Sequence, residues 1–199
     1  MKQRFYSTSG YDRIREDGLI LPHSRTVEKR VVLTPLTTGC LRPVLQNLKQ
    51  EVQEMPECAR RSIAKFDEMD IMEKLDYDSS KDIIEGFEAL GPLRRTARRA
   101  NKVFAMTLNS FVTFNPWRAL IFYALPYNGV SAKHLVTLIR MCMDEATECG
   151  ADVQMIVCDQ EGSNRSAYTQ LCVTTENPLF YHKNPCHARF LSRSQKFNK

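Results

Sequence analysis

The sequence predicts an α/β domain on a mixed sheet: a three-strand antiparallel meander, a crossover helix and a parallel fourth strand, all preceded by a small helical region. Three observations lead there. Residues 153–159, Val-Gln-Met-Ile-Val-Cys-Asp, form a nearly continuous apolar run that ends on a carboxylate and enters the polar segment Gln160-Glu161-Gly162-Ser163-Asn164-Arg165. Such a run suits a strand buried on both faces of a helix-covered parallel sheet. Residues 62–69 make a second strand-like segment, which also carries an aspartate, Asp67. Between the two lies the clearest helical pattern in the chain, residues 131–149, long enough to join parallel neighbours. An aspartate ending such a strand lies at the carboxyl edge of the sheet, where open α/β sheets bind ligands.

The 199 residues allow one domain with an appendage. A formal charge of +5 is mildly basic and permits a polyanionic partner without requiring one. The longest wholly apolar run, residues 119–125, is too short to span a bilayer, and the amino terminus leads into no apolar stretch. The expectation is an intracellular protein, neither secreted nor in a membrane. Seven cysteines without a Cys-x-x-Cys pair read as reduced thiols, so no disulfide framework is expected.

In chain order, residues 11–17 form a short helical pattern stopped by Gly18, and Ser24 is placed to cap a second one over 25–32. The pair reads as a helix-turn-helix presenting Arg25, Lys29 and Arg30, or more simply as two helices packing on a neighbour. Leu41, Val44, Leu45, Leu48, Val52 and Met55 then fall on one helix face, with Pro43 in the first turn and Pro56 at the end. This face is expected to pack against the following domain. Asp78-Ser79-Ser80 between apolar flanks predicts a hairpin-like turn. Residues 102–111 and 119–125 read as strands joined by Asn115-Pro116-Trp117-Arg118, with Trp117 packing at the core or its rim.

Ser131 caps the long helix, Leu135, Leu138, Ile139, Cys142, Met143 and Ala146 line its stripe, and Gly150 stops it. A short helix over 164–171 follows, and patterning fails after Asn177-Pro178. The expected organisation is a helical region 1–58, a sheet domain 59–182 and a poorly ordered basic tail 183–199. Arg94, Arg95, Arg98 and Arg99 have i, i+4 spacing; if helical, they would line one face and grip DNA phosphates together with Lys102. A solvated charged linker is the competing reading. Glu68, Asp70 and Glu73 read as solvated neighbours of Asp67.

Three strands, a helix and a strand, with Asp67 on the first strand and Asp159 ending the fourth, make the opening half of an RNase H-like fold. The local sequences extend the likeness. Phe66-Asp67-Glu68-Met69, Tyr77-Asp78, Gly86-Phe87-Glu88-Ala89-Leu90-Gly91 and Val157-Cys158-Asp159-Gln160 with Gly162-Ser163-Asn164 resemble the P-element-type transposases, including the THAP-containing animal ones. Phe5-Tyr6-Ser7, Leu21-Pro22 and Ser24-Arg25-Thr26 are similar to the short helical region that precedes the catalytic domain there, so the resemblance spans roughly residues 5 to 182. It implies that Asp67 and Asp159 match two of three carboxylates that hold Mg²⁺ for cutting and joining DNA, and it implies a nuclear protein. Carboxylate oxygens suit Mg²⁺, and a two-ion site can activate the attacking oxygen and stabilise the leaving one.

The sequence also departs from the family. The third acidic residue and the guanine-nucleotide-binding insertion would lie beyond Lys199, Glu161 is an extra residue in the second motif, and Asn184-Pro185-Cys186-His187-Ala188-Arg189 does not match. Neither a THAP module nor a Gly-x-x-x-x-Gly-Lys loop occurs. The expectation is an incomplete transposase domain, inactive alone, with a non-catalytic DNA-binding or protein-interaction descendant as the alternative. His182, Cys186 and His187 are too sparse for a zinc site. Asp67-Glu68-Met69-Asp70 spaces its acids wrongly for an aspartate phosphatase.

Overall fold

A computed structural model describes residues 37–79, 82–111, 116–174, 176–180 and 192–193, with Arg13 and His23 as isolated positions. The chain divides into two compact units, 1–36 and 37–199. The helical pair expected over 11–32 therefore lies outside the described residues, apart from those two positions.

The second unit opens with a short strand β1 (Gly39–Cys40) and helix α1 (Arg42–Glu54). Pro43 sits in the first turn of α1, where its missing N–H is no loss. Leu41, Leu45, Leu48 and Val52 are buried as the periodicity predicts, and Val44 and Met55 pack partly against the same core. A 3-10 helix, Glu57–Arg60, leads into the long strand β2 (Arg61–Asp70). Two small ribbons follow: β3 (Asp76–Asp78) with β4 (Ile83–Glu85), then β5 (Phe87–Ala89) with β6 (Arg95–Arg99). Next come β7 (Lys102–Ser110) and β8 (Arg118–Ala124), helix α2 (Ala132–Glu148), strand β9 (Asp152–Val157), helix α3 (Gly162–Gln170), and short strands β10 (Leu179–Phe180) and β11 (Ser192–Arg193).

The main sheet runs β1-β8-β7-β2-β9-β11-β10. Strands β2, β7 and β8 are the expected antiparallel meander, and β9 returns through α2 to lie parallel to β2. Strands β3 and β4 pair antiparallel on either side of the hairpin-like turn expected at Asp78-Ser79-Ser80, of which Ser80 lies outside the described residues. Trp117 packs partly against the core and donates its indole N–H to the Ala59 carbonyl at 3.0 Å. Of the tail, only β11 is described beyond Phe180; it pairs with β9 through Arg193 and Met155.

One sheet face carries the core. Ala64 and Phe66 of β2, Phe104, Met106 and Leu108 of β7, and Ile121, Phe122 and Ala124 of β8 meet the α2 stripe there, every member of which is buried. Two irregularities adjust the strands to this face. A register shift between Ser62 and Ile63 gives β9 one extra residue, so that Val153 and Ile156, three apart, both turn inward. A shift between Met106 and Thr107 does the same for Ile121 and Phe122 on β8. The expectation that residues 153–159 are buried on both faces is corrected here: Gln154, Met155 and Val157 are only half-buried, and Lys65 and Asp67 on β2 are exposed.

Candidate active site

The candidate site forms where β9 ends beside β2, which runs on along β7 to Asp70. Lys65 of β2 pairs with Val157 of β9 in parallel register, the last pair of that ladder, and Asp67 and Asp159 each follow two residues later in their segments. Adjacent strands lie about 4.8 Å apart, so both carboxylates belong to one edge. Both aspartates are exposed. The Cys158 thiol feels the charge of each. Burial pushes it up to about 11, the Tyr168 hydroxyl at 3.0 Å opposes that rise, and the Asp159 and Asp67 charges add to it.

Asp159 is held by its own turn. Its Oδ1 accepts the Glu161 amide at 3.2 Å and a short hydrogen bond from the Asn164 side chain, so the polar segment after the strand orients the carboxylate. Glu161 takes the N-cap position of α3 and Asn164 is buried. Asp67 Oδ1 accepts the Glu68 amide at 2.9 Å. Among the described residues, neither Oδ2 has a hydrogen-bond partner.

Glu68 departs from the expectation of a solvated neighbour. Its side chain is 13% exposed, Oε1 accepts the Val130 amide at 2.8 Å, and Oε2 is buried without a hydrogen-bond partner. Lys102 Nζ stands 3.9 Å from that Oε2 and 3.3 Å from Asp70. Burial raises the Glu68 carboxyl above its usual range against the Val130 amide, and the Glu161 charge adds to the rise. Gly129, at φ +89°, passes so close that a Cβ there would meet Oε2 at 2.8 Å. Glu68 is thus an anchor for the loop between β8 and α2. Asp70 remains exposed, as expected.

Two aspartates, one within β2 and one just past the end of β9, supply hard oxygen donors and leave room for water, which is what Mg²⁺ takes. Among the described residues, no group of three or more His, Cys, Asp or Glu gathers to hold a metal. His182, Cys186 and His187 lie outside the described residues.

Residues 36–172 match the model of the family described as TNP-like, RNase H N-terminal domain. The chain belongs to this family. As a TNP-like RNase H N-terminal domain it also resembles a solved structure titled Drosophila P element transposase strand transfer complex, with a TM-score of 0.63 at 19% sequence identity. That likeness covers 94% of this chain and 37% of the other, and it shows the RNase H-like fold. No curated protein matches the chain.

In this family member the basic cluster is not helical, so the condition under which the four arginines would line one face is not met. Arg95–Arg99 is strand β6, which pairs with β5. Alternation along a strand separates Arg95 and Arg99 from Arg98, so no single helical face presents the four arginines. Arg94 pairs with Glu88 at 2.6 Å, Arg98 lies over the Tyr127 ring at 5.5 Å from its centroid, and Lys102 is engaged by Asp70.

Glu88 carries a role that sequence reasoning left unread. Its side chain is 1% exposed and accepts from Arg94, from the Thr96 hydroxyl at 2.7 Å and from the Tyr127 amide at 3.5 Å. Beside it, Asn101 and Asn128 exchange hydrogen bonds of 2.9 and 2.8 Å. Glu88, Asn101 and Glu68 therefore fasten the β8–α2 loop beside the strand ends. A glutamate inside the apolar run Phe87-Glu88-Ala89-Leu90 was the available signal.

Proposed function

We propose that this domain serves DNA cleavage and strand transfer of the P-element transposase type, with Asp67 and Asp159 holding a divalent cation at a DNA phosphate. The observation that supports this reading is the parallel β2–β9 register, whose last pair, Lys65↔Val157, stands two residues before each aspartate. When bound, the ion would activate an attacking oxygen and offset charge on the phosphate. The chain's own residues prepare the site. Asn164 and the Glu161 amide fix Asp159 through Oδ1 and leave Oδ2 for coordination. Asp67 stands exposed on a strand held on both sides, by β7 and by β9. The Glu68–Val130 hydrogen bond keeps the neighbouring loop in place without drawing on either aspartate.

The test is Mn²⁺ titration followed by paramagnetic broadening, with a Mg²⁺-dependent DNA cleavage and joining assay beside it. Broadening should centre on residues 66–68 and 158–160. Asp67→Asn and Asp159→Asn should each weaken Mn²⁺ binding at least about tenfold, in the range that perturbed metal sites show. Both side chains are exposed, so the variants should fold. With no third His, Cys, Asp or Glu gathered beside them among the described residues, ion binding by these two carboxylates should be weak. Broadening that is scattered over the surface, or indifferent to both substitutions, would overturn the assignment.

A further inference from the structure

We propose that Cys40 and Cys142 are a modification site, a dithiol that a hydroperoxide closes into a disulfide between the entry of α1 and the middle of α2. Their side chains hydrogen-bond to one another. Cys40 ends β1, where it pairs with Phe122 of β8, and the next amide, that of Leu41, donates to the Ile121 carbonyl at 2.8 Å. Cys142 stands on the buried stripe of α2. Two further contacts hold the same stretch of chain along that helix. Arg42 meets Glu145, one turn on from Cys142, at 2.6 Å, and the Cys149 thiol donates to the Leu45 carbonyl at 3.3 Å. The two sulfurs are thus held together by elements that are themselves fixed. A disulfide forms only where side chains already approach in this way.

The thiols are unequal, and that assigns an order of events. Cys40 is half-buried, whereas Cys142 is fully buried. The hydrogen bond with Cys142 holds the Cys40 thiol below its usual range against burial and the Glu145 charge, and the Arg42 charge adds to the fall. Burial raises Cys142 well above its usual range. A partly exposed thiolate beside a cation is the reactive form of cysteine, and a thiol closed in apolar surroundings is inert towards solvent. The Cys40 thiolate therefore attacks the hydroperoxide: an S–O bond forms, the O–O bond breaks, and the leaving oxygen takes up a proton. The Cys142 sulfur then attacks the resulting sulfenic acid. The S–S bond forms, the S–O bond breaks, and the Cys142 proton leaves with the hydroxyl as water. Two thiols are oxidised and one peroxide is reduced. Cys149 and Cys158 have other partners, the Leu45 carbonyl and the Tyr168 hydroxyl.

The bridge would close a loop of roughly a hundred residues, so it should constrain the unfolded chain strongly. The test treats the full chain with a small excess of hydrogen peroxide at neutral pH, blocks the remaining thiols and maps non-reduced digests by mass spectrometry. Fragmentation should place the bridge between Cys40 and Cys142 rather than at Cys149 or Cys158. The thermal midpoint should rise by at least about 5 °C, and dithiothreitol should reverse both changes. Cys40→Ser changes a half-buried position, should fold, and should show no rise under peroxide. Cys142→Ala should leave Cys40 as a sulfenic acid that dimedone labels. The parent chain melted with and without reductant keeps the test independent of how either variant folds. A bridge at any other pair, or no bridge, would overturn the proposal. So would a midpoint that the bridge leaves unmoved, a rise that persists in Cys40→Ser, or dimedone found on Cys142 in that variant.

Discussion

Glu88 shows what one buried charge does in this domain. Burial alone would raise its carboxyl, but hydrogen bonds from Arg94, Thr96 and the Tyr127 amide overcome that and hold it below the usual glutamate range. A carboxyl lowered on folding stabilises the protein above its unfolded value, and that contribution is lost as pH falls through the folded value. Thermal melts should show Glu88→Ala destabilised by about 2 kcal/mol at neutral pH, within the range for hydrogen bonds to charged groups. The difference from the parent should shrink below about pH 4, as both carboxyl states protonate. A difference constant from pH 7 to pH 3 would contradict the ionised assignment. Gly86 is the second decisive residue: its φ of +100° is strained for any side chain, and a Cβ would lie 2.0 Å from the Lys74 carbonyl oxygen. Gly86→Ala should cost about 3 kcal/mol. Denaturant unfolding would read that loss directly.

Among the elements, α1 and α2 hold the sheet by one face. Leu45, Leu48 and Val52 of α1 share a core with Leu138, Ile139 and Cys142 of α2, so the amphipathic helix belongs to the same unit as the strands. Expressed from Arg61, a chain without α1 should lose its cooperative thermal transition, because the apolar surface of β8 under α1 opens to water. Expression from Thr37 keeps that helix, and the transition should survive. Leu138 is 0% exposed at the centre of α2, and Leu138→Ala should cost about 2–5 kcal/mol, measurable as a shift of the denaturation midpoint. An effect below about 1 kcal/mol would mean that the site collapses around the cavity.

At the scale of the whole domain, the covered face supplies stability and the strand ends supply chemistry. Strands β2 and β7 pair over nine positions, from Ser62↔Ser110 to Asp70↔Lys102, at the middle of the sheet. Hydrogen exchange should therefore be slowest in β2, β7 and β8 and fastest in the β3–β4 ribbon, whose backbone bonds stand in solvent. Comparable protection of the ribbon would show that it packs on its own domain.

Much of this architecture was legible because local periodicity reports which side of an element meets the core. The α2 stripe from Leu135 to Ala146, the α1 face from Leu41 to Val52 and the meander followed from spacing alone, since a helix or strand buries residues at its own period. The two aspartate strands were also readable as apolar runs bearing a carboxylate. Spacing could not decide what depends on pairing with distant segments. Arg95 and Arg99 fit a helix as well as a strand, and only their ladder with Ala89 and Phe87 selects the strand. The bulges that turn Val153 with Ile156 and Ile121 with Phe122 inward exist only in the register with a neighbouring strand. Glu68 reads as a surface acid until Gly129 and Val130 close over it. The sequence by itself determined the two main helices, the strands of the meander and the stripes they bury, because those preferences act over a few residues. Tertiary structure alone decided which strand ends share an edge and which charges are buried, because hydrogen-bond registers and desolvation are set by residues tens of positions away.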